Sequence, residues 1–156
     1  MKRIGVVGIL VLAFFGLADS AYLAQHQIDG TPLICNIQNL TGCNIVADSQ
    51  YSHIFGIPLA EYGVLFYTAL FILAALELVL FNRQLRRVLQ VVALAGVLSS
   101  ICFVLIQVFL IQALCVYCEA SAFITLLVLI LASRIEPVRR REHHSASPHL
   151  RMPPEA

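Results

Sequence analysis

Residues 88–133 read VLQVVALAGVLSSICFVLIQVFLIQALCVYCEASAFITLLVLILAS. Two apolar runs, Val88 to Gln112 and Leu114 to Ser133, follow each other with almost nothing between them. A C-V-Y-C motif, Cys115 to Cys118, opens the second run. Each run is close to the roughly 20 residues a helix needs to cross a hydrocarbon core about 30 Å thick. Lipid offers a backbone no hydrogen-bond partner, so runs of this kind must be helices. The stretch therefore reads as two consecutive membrane helices with a pair of thiols at the bend.

Working outward, Ile4 to Ala24 and Ile57 to Phe81 form two further spans. The chain has 156 residues, 60% of them hydrophobic and only 12% charged, which excludes an ordinary soluble domain of this size. The expected fold is all-α: an integral membrane four-helix bundle over residues 1–134, with a periplasmic loop, Gln25 to Gly56, between helices 1 and 2. Residues 135–156, rich in Arg, His, Ser and Pro, read as a disordered cytoplasmic tail. Small residues at helical spacing in the third span, Ala95/Ser99 and Gly96/Ser100, favour close helix packing. There is no internal repeat, no nucleotide-binding glycine motif and no HExxH, and no nucleic-acid partner is expected.

Orientation follows from the basic residues. Lys2 and Arg3 precede the first span, Arg83, Arg86 and Arg87 join the second to the third, and the remaining arginines follow the fourth. The loop from Gln25 to Gly56 and the turn near Ala113 carry none. Both termini are thus expected in the cytoplasm, and both cysteine pairs on the opposite face. The first span is too long for the 7–15-residue core of a signal peptide and lacks a clear cleavage site, so it is read as retained.

Cys115 and Cys118 are three residues apart at a helix start and share one face. Cys118 sits roughly 4.5 Å deeper, at about 1.5 Å per residue. A helix N-terminus stabilises a thiolate, and C-x-x-C spacing lowers the pKa of one sulfur further. Cys35 and Cys43, in the external loop, can close into a second disulfide. Three readings stand on spacing and topology alone: a thiol–disulfide relay, two static structural disulfides, or a four-thiolate metal site such as a metal carrier would use. Cys102, in the middle of the third span, reads as a small hydrophobe.

The order of these features resembles the vitamin K epoxide reductase family in its bacterial form. The likeness lies in S-A-Y-L-A ending the first span, Cys35 and Cys43, Ser49 six residues later, I-F-G-I-P-L-A-E-Y-G-V-L-F-Y, and the late C-V-Y-C, covering roughly residues 4–133. The DsbB type, which also couples disulfides to quinones, has its motifs in the reverse order. The resemblance implies a bacterial inner-membrane enzyme that passes electrons to a quinone, menaquinone or ubiquinone. It implies that Cys118 faces the quinone and Cys115 exchanges with Cys43. Cys43 and Cys35 would then serve a separate, DsbA-like thioredoxin-fold protein in the periplasm. Ser49 matches the family's loop Ser or Thr. Animal members carry a Tyr four residues after the motif's second Cys, where this chain has Ala122.

Other polar residues complete the candidate set. Asp19, near the outer end of the first span, either relays protons to reduced quinone or bonds within the bundle. Glu61 and Tyr62 stand at the outer end of the second span and border the expected quinone site. Gln107 is a candidate hydrogen-bond donor to a quinone carbonyl, and Glu77 is expected to reach the opposite interface.

Overall fold

Four apolar runs in lipid can satisfy their backbone groups only as helices, and they do so here. The structure, a computed structural model, describes residues 2–33, 42–80 and 83–135. Its elements are α1 (Lys2–Asp29), α2 (Gly42–Ala47), β1 (His53–Ile54), β2 (Ile57–Pro58), α3 (Leu59–Leu80), α4 (Arg83–Ile106) and α5 (Val116–Ile135). A π-helical turn, Gln107–Ile111, prolongs α4. The helices α1, α3, α4 with its π turn, and α5 are long and apolar enough to cross a membrane.

Residues spaced three and four apart turn inward from each long helix. Val6, Ile9 and Ala13 of α1 meet Tyr67, Leu70 and Ala74 of α3, Leu89 and Ala93 of α4, and Val128 and Ala132 of α5. Large side chains such as Phe14, Phe15, Leu65, Ile72, Leu98 and Phe123 point outward. That inversion is what a lipid solvent permits. Without a hydrophobic drive between helices, close backbone approach does the packing. At Gly16, a Cβ would overlap the ring of Tyr67, so only glycine lets α1 and α3 meet there.

Glu77 departs from expectation: it does not reach the interface but is buried, at 2% exposure. Arg86 of α4 donates to its Oε1 through Nε, at 2.9 Å, and through Nη2. Nearby, the Gln90 side chain donates to the Ala132 carbonyl at 2.9 Å. These bonds lock the end of the bundle that carries Arg83, Arg86, Arg87 and Arg134.

The opposite end is more structured than a plain loop. Helix α1 continues past the expected end at Ala24 to Asp29, where Gly30 turns out at φ 62°. The short α2 follows, and then a two-residue hairpin in which His53 pairs with Pro58 and Ile54 with Ile57. Both central residues, Phe55 (φ 53°) and Gly56 (φ 80°), are left-handed. That is the primed turn whose twist matches paired strands. Cys35 and residues 136–156 of the expected tail lie outside the described residues.

The buried ion pair gives a stability prediction. Arg86→Ala strands Glu77 in an apolar interior and should cost about 3–5 kcal/mol. Unfolding in mixed detergent micelles measures it, and Glu77→Gln with Arg86→Met should restore much of the loss.

Candidate active site

The site begins with an irregularity in α4. Its π turn is closed by Gln112 in the left-handed region (φ 56°), whose N–H bonds the Gln107 carbonyl. The N–H of Ala113 reaches the same oxygen at 3.3 Å. Such turns insert a residue into a helix and often sit at functional sites. Here the Gln107 side chain is buried, and its Oε1 accepts the Cys115 N–H at 3.1 Å.

Cys115 is thereby set as the N-cap of α5. Its carbonyl accepts the Glu119 N–H at 3.0 Å, the first bond of the helix. The backbone N–H groups of Tyr117 and Cys118 favour its thiolate. These are the second and third helical positions, whose orphan donors a capping side chain serves. A hydrogen bond with the Cys118 side chain is the largest influence on Cys115 and holds its thiol below the ordinary range. The two backbone donors add to that effect, while burial and the Asp19 charge oppose it.

The second sulfur arrives on α2. Cys43 is fully buried and disulfide-bonded, whereas Cys102, Cys115 and Cys118 are free. The approach is close: a Cβ on Gly42 would overlap the backbone of Leu114, the residue before Cys115. Cys43 and Cys115 share one buried cluster with Leu33, ringed by Tyr22, Leu23, Val46, Tyr117 and Cys118. Asn44 holds this arrangement by accepting the Leu33 N–H at 2.9 Å.

Ser49 secures the segment after α2. Its hydroxyl donates to the Val46 carbonyl at 2.7 Å. Its own carbonyl accepts the Ser52 hydroxyl at 2.8 Å and the Ser52 N–H at 3.0 Å. The His53 Nδ1 lies 2.8 Å from the same Ser52 hydroxyl. The Leu59 N–H bonds the Ser52 carbonyl at 2.7 Å and ties the strap to α3.

Below this cap lies a cavity of about 570 Å³ lined by α1, α3, α4 and α5. That is within the roughly 300–1,000 Å³ of small-molecule sites. Of the residues singled out from sequence, Asp19, Cys43, Ser49, Tyr62, Gln107, Cys115 and Cys118 line it. Glu61 is not among the lining residues, and Cys35 lies outside the described residues. Tyr62 also donates to the Ile54 carbonyl at 3.2 Å, fastening the hairpin over α3. Ala95, Gly96, Ser99 and Ser100 of α4 line the cavity, so their small size opens space as well as admitting neighbours. Gly96 alone of the four is buried, against Phe66 and Thr125.

Sequence reading missed the polar floor. The Tyr67 hydroxyl lies 2.8 Å from both the Ser121 carbonyl and its hydroxyl, and 3.4 Å from Thr125 Oγ1. The signal was present: Cys118, Ser121 and Thr125 recur at helical spacing along one face of an apolar span. Among the described residues, no three His, Cys, Asp or Glu side chains gather where they could hold a metal ion. The four-thiolate alternative needs Cys35, outside those residues.

A multi-pass membrane bundle with a disulfide-bonded sulfur packed beside a free C-x-x-C pair defines a class, the membrane thiol oxidoreductases. The sequence profile described as "Vitamin K epoxide reductase family" matches residues 7–133. The chain belongs to that oxidoreductase family. A comparison with curated proteins found no match.

The capping geometry predicts the titration of Cys115. In the reduced protein its alkylation rate should show a midpoint below the ordinary thiol value of about 8.5. Cys118→Ala removes the main stabilising bond, so the midpoint should rise. Site-resolved mass spectrometry of pH-dependent alkylation measures both.

Proposed function

We propose that the chain is a quinone-linked disulfide oxidoreductase of a bacterial inner membrane. It reoxidises a separate periplasmic, DsbA-like thioredoxin-fold protein and passes the electrons through Cys35/Cys43 and Cys115/Cys118 to menaquinone or ubiquinone. The observation that carries this reading is the burial of Cys43 and Cys115 in one cluster, with Cys118 hydrogen-bonded to Cys115 and lining the cavity.

The chemistry needs only thiol–disulfide exchange. Partner thiols reduce the loop disulfide. The Cys43 thiolate then attacks the Cys115 sulfur of an oxidised helix pair, and Cys118 leaves with an electron pair and takes up a proton. Attack by Cys35 on Cys43 of the mixed disulfide releases Cys115. A leaving thiol of low pKa departs faster, so the N-cap position of Cys115 favours this step. Ser49 acts by fixing the backbone after Cys43.

The cavity fits a quinone ring: apolar walls, the Cys118 thiol, and a buried carboxylate oxygen of Asp19 without a hydrogen-bond partner among the described residues. Bound there, a quinone would supply a two-electron, two-proton acceptor. Cys118, Gln107 and Tyr62, which line the cavity, would hold it. Glu61, outside the cavity lining, takes no part in this account. The arginine-bearing end of the bundle faces the cytoplasm with both termini, which puts the cysteine end on the periplasmic side.

The test is quinone reduction in detergent with a reduced thioredoxin-fold donor. Cys118→Ala should lower turnover by at least about a thousandfold. Turnover near the wild-type rate in that variant contradicts the proposal.

A further inference from the structure

Asp19 is a carboxylate in an apolar cavity wall, on a helix otherwise facing lipid and core. Its Oδ2 is buried and has no hydrogen-bond partner among the described residues. An unpartnered buried carboxylate destabilises a fold, so its place calls for a role. Four titratable groups interact with it electrostatically from the facing elements: Tyr67 of α3, and Cys115, Tyr117 and Cys118 at the start of α5. Tyr22 lies one turn on along α1, and among the described residues no Lys or Arg lines the cavity.

We propose that Asp19 is the proton carrier of the C-x-x-C pair, holding a thiol proton inside the cavity until the electron acceptor takes it. The inference rests on the quinone reading above and adds the proton path to it. Two anions in one poorly solvated space oppose each other. Asp19 as an anion disfavours the Cys115 thiolate, and both groups line the same cavity. In the proposed path, ionisation of Cys115 passes its proton to Asp19.

The balance closes. Oxidation of the pair breaks the Cys115 and Cys118 S–H bonds and forms one S–S bond, releasing two electrons and two protons. Both electrons, and both protons on its two oxygens, would be accepted by a quinone bound there. Asp19 gains one of these protons as an O–H bond and gives it up in the same turnover, so it returns to its starting form.

The experiment uses the full chain in detergent with Asp19→Asn and Asp19→Glu. The first readout needs no quinone: the pH midpoint of Cys115 alkylation in reduced protein. Asp19→Asn should lower it by about one pH unit, because a nearby negative charge is gone. Asp19→Glu should leave it close to wild type. The second readout is a single turnover of pre-reduced protein with a soluble short-chain quinone. Asp19→Asn should slow it by about a hundredfold and flatten its pH profile, and Asp19→Glu should recover most of the rate. Unchanged thermal stability of Asp19→Asn, or an increase, shows that folding is not the cause.

An unmoved alkylation midpoint overturns the proposal whatever the quinone result. So does a shifted midpoint with wild-type turnover and pH profile. A wild type inert to every quinone overturns the redox reading and this proposal with it. The alkylation arm then shows whether the Asp19–Cys115 coupling was also at fault.

Discussion

The contact between Gly42 and the backbone of Leu114 fixes where two sulfurs can meet. A Cβ at residue 42 would push α2 away from the turn that carries Cys115, and Cys43 would move with it. The turn is equally constrained from its other side. The π segment of α4 sends Gln107 inward, Gln112 closes the helix in a left-handed conformation, and the Gln107 amide oxygen holds the Cys115 N–H. One short helix docked on one irregular turn thus places the loop sulfur against the helix pair. Asn44 and the Ser49–Ser52 strap keep α2 in that position through side chain to backbone bonds.

The same turn sets the electrostatics. As N-cap of α5, Cys115 receives donors that a helix start must otherwise leave unpaired. The Cys118 side chain and the two backbone donors together favour the thiolate of Cys115. Asp19, which lines the same cavity, opposes that tendency by its charge, and the proposed proton path rests on that opposition. The remote end of the bundle contributes rigidity. The Arg86–Glu77 pair and the Gln90–Ala132 bond anchor α3, α4 and α5 at the end away from the sulfurs.

Much of this was legible in the sequence because lipid simplifies the rules. Four long apolar runs leave the backbone no choice but helix, and the C-x-x-C at a helix start announces a capped, acidified thiol. The cap over the cavity was not legible in the same way. Residues 42–58 carry no long period, and their structure rests on side chain to backbone bonds by Asn44, Ser49 and Ser52 and on a positive φ at Phe55. Propensity does not announce such bonds. Glu77 was misplaced because its partner Arg86 lies beyond a helix junction, and only the folded bundle brings them together. Glu61 stands beside Tyr62 in sequence, yet Tyr62 lines the cavity and Glu61 does not.

The central claim is that Cys43 and Cys115 are the exchanging sulfurs. It can be tested most directly by trapping them. In a Cys35→Ala, Cys118→Ala double variant, the two remaining exchange partners lack their resolving thiols. The account predicts a Cys43–Cys115 disulfide, formed within one chain under mild oxidation and identified by mass spectrometry of unreduced peptides. Both sulfurs remaining free, or linked only between chains, would contradict it.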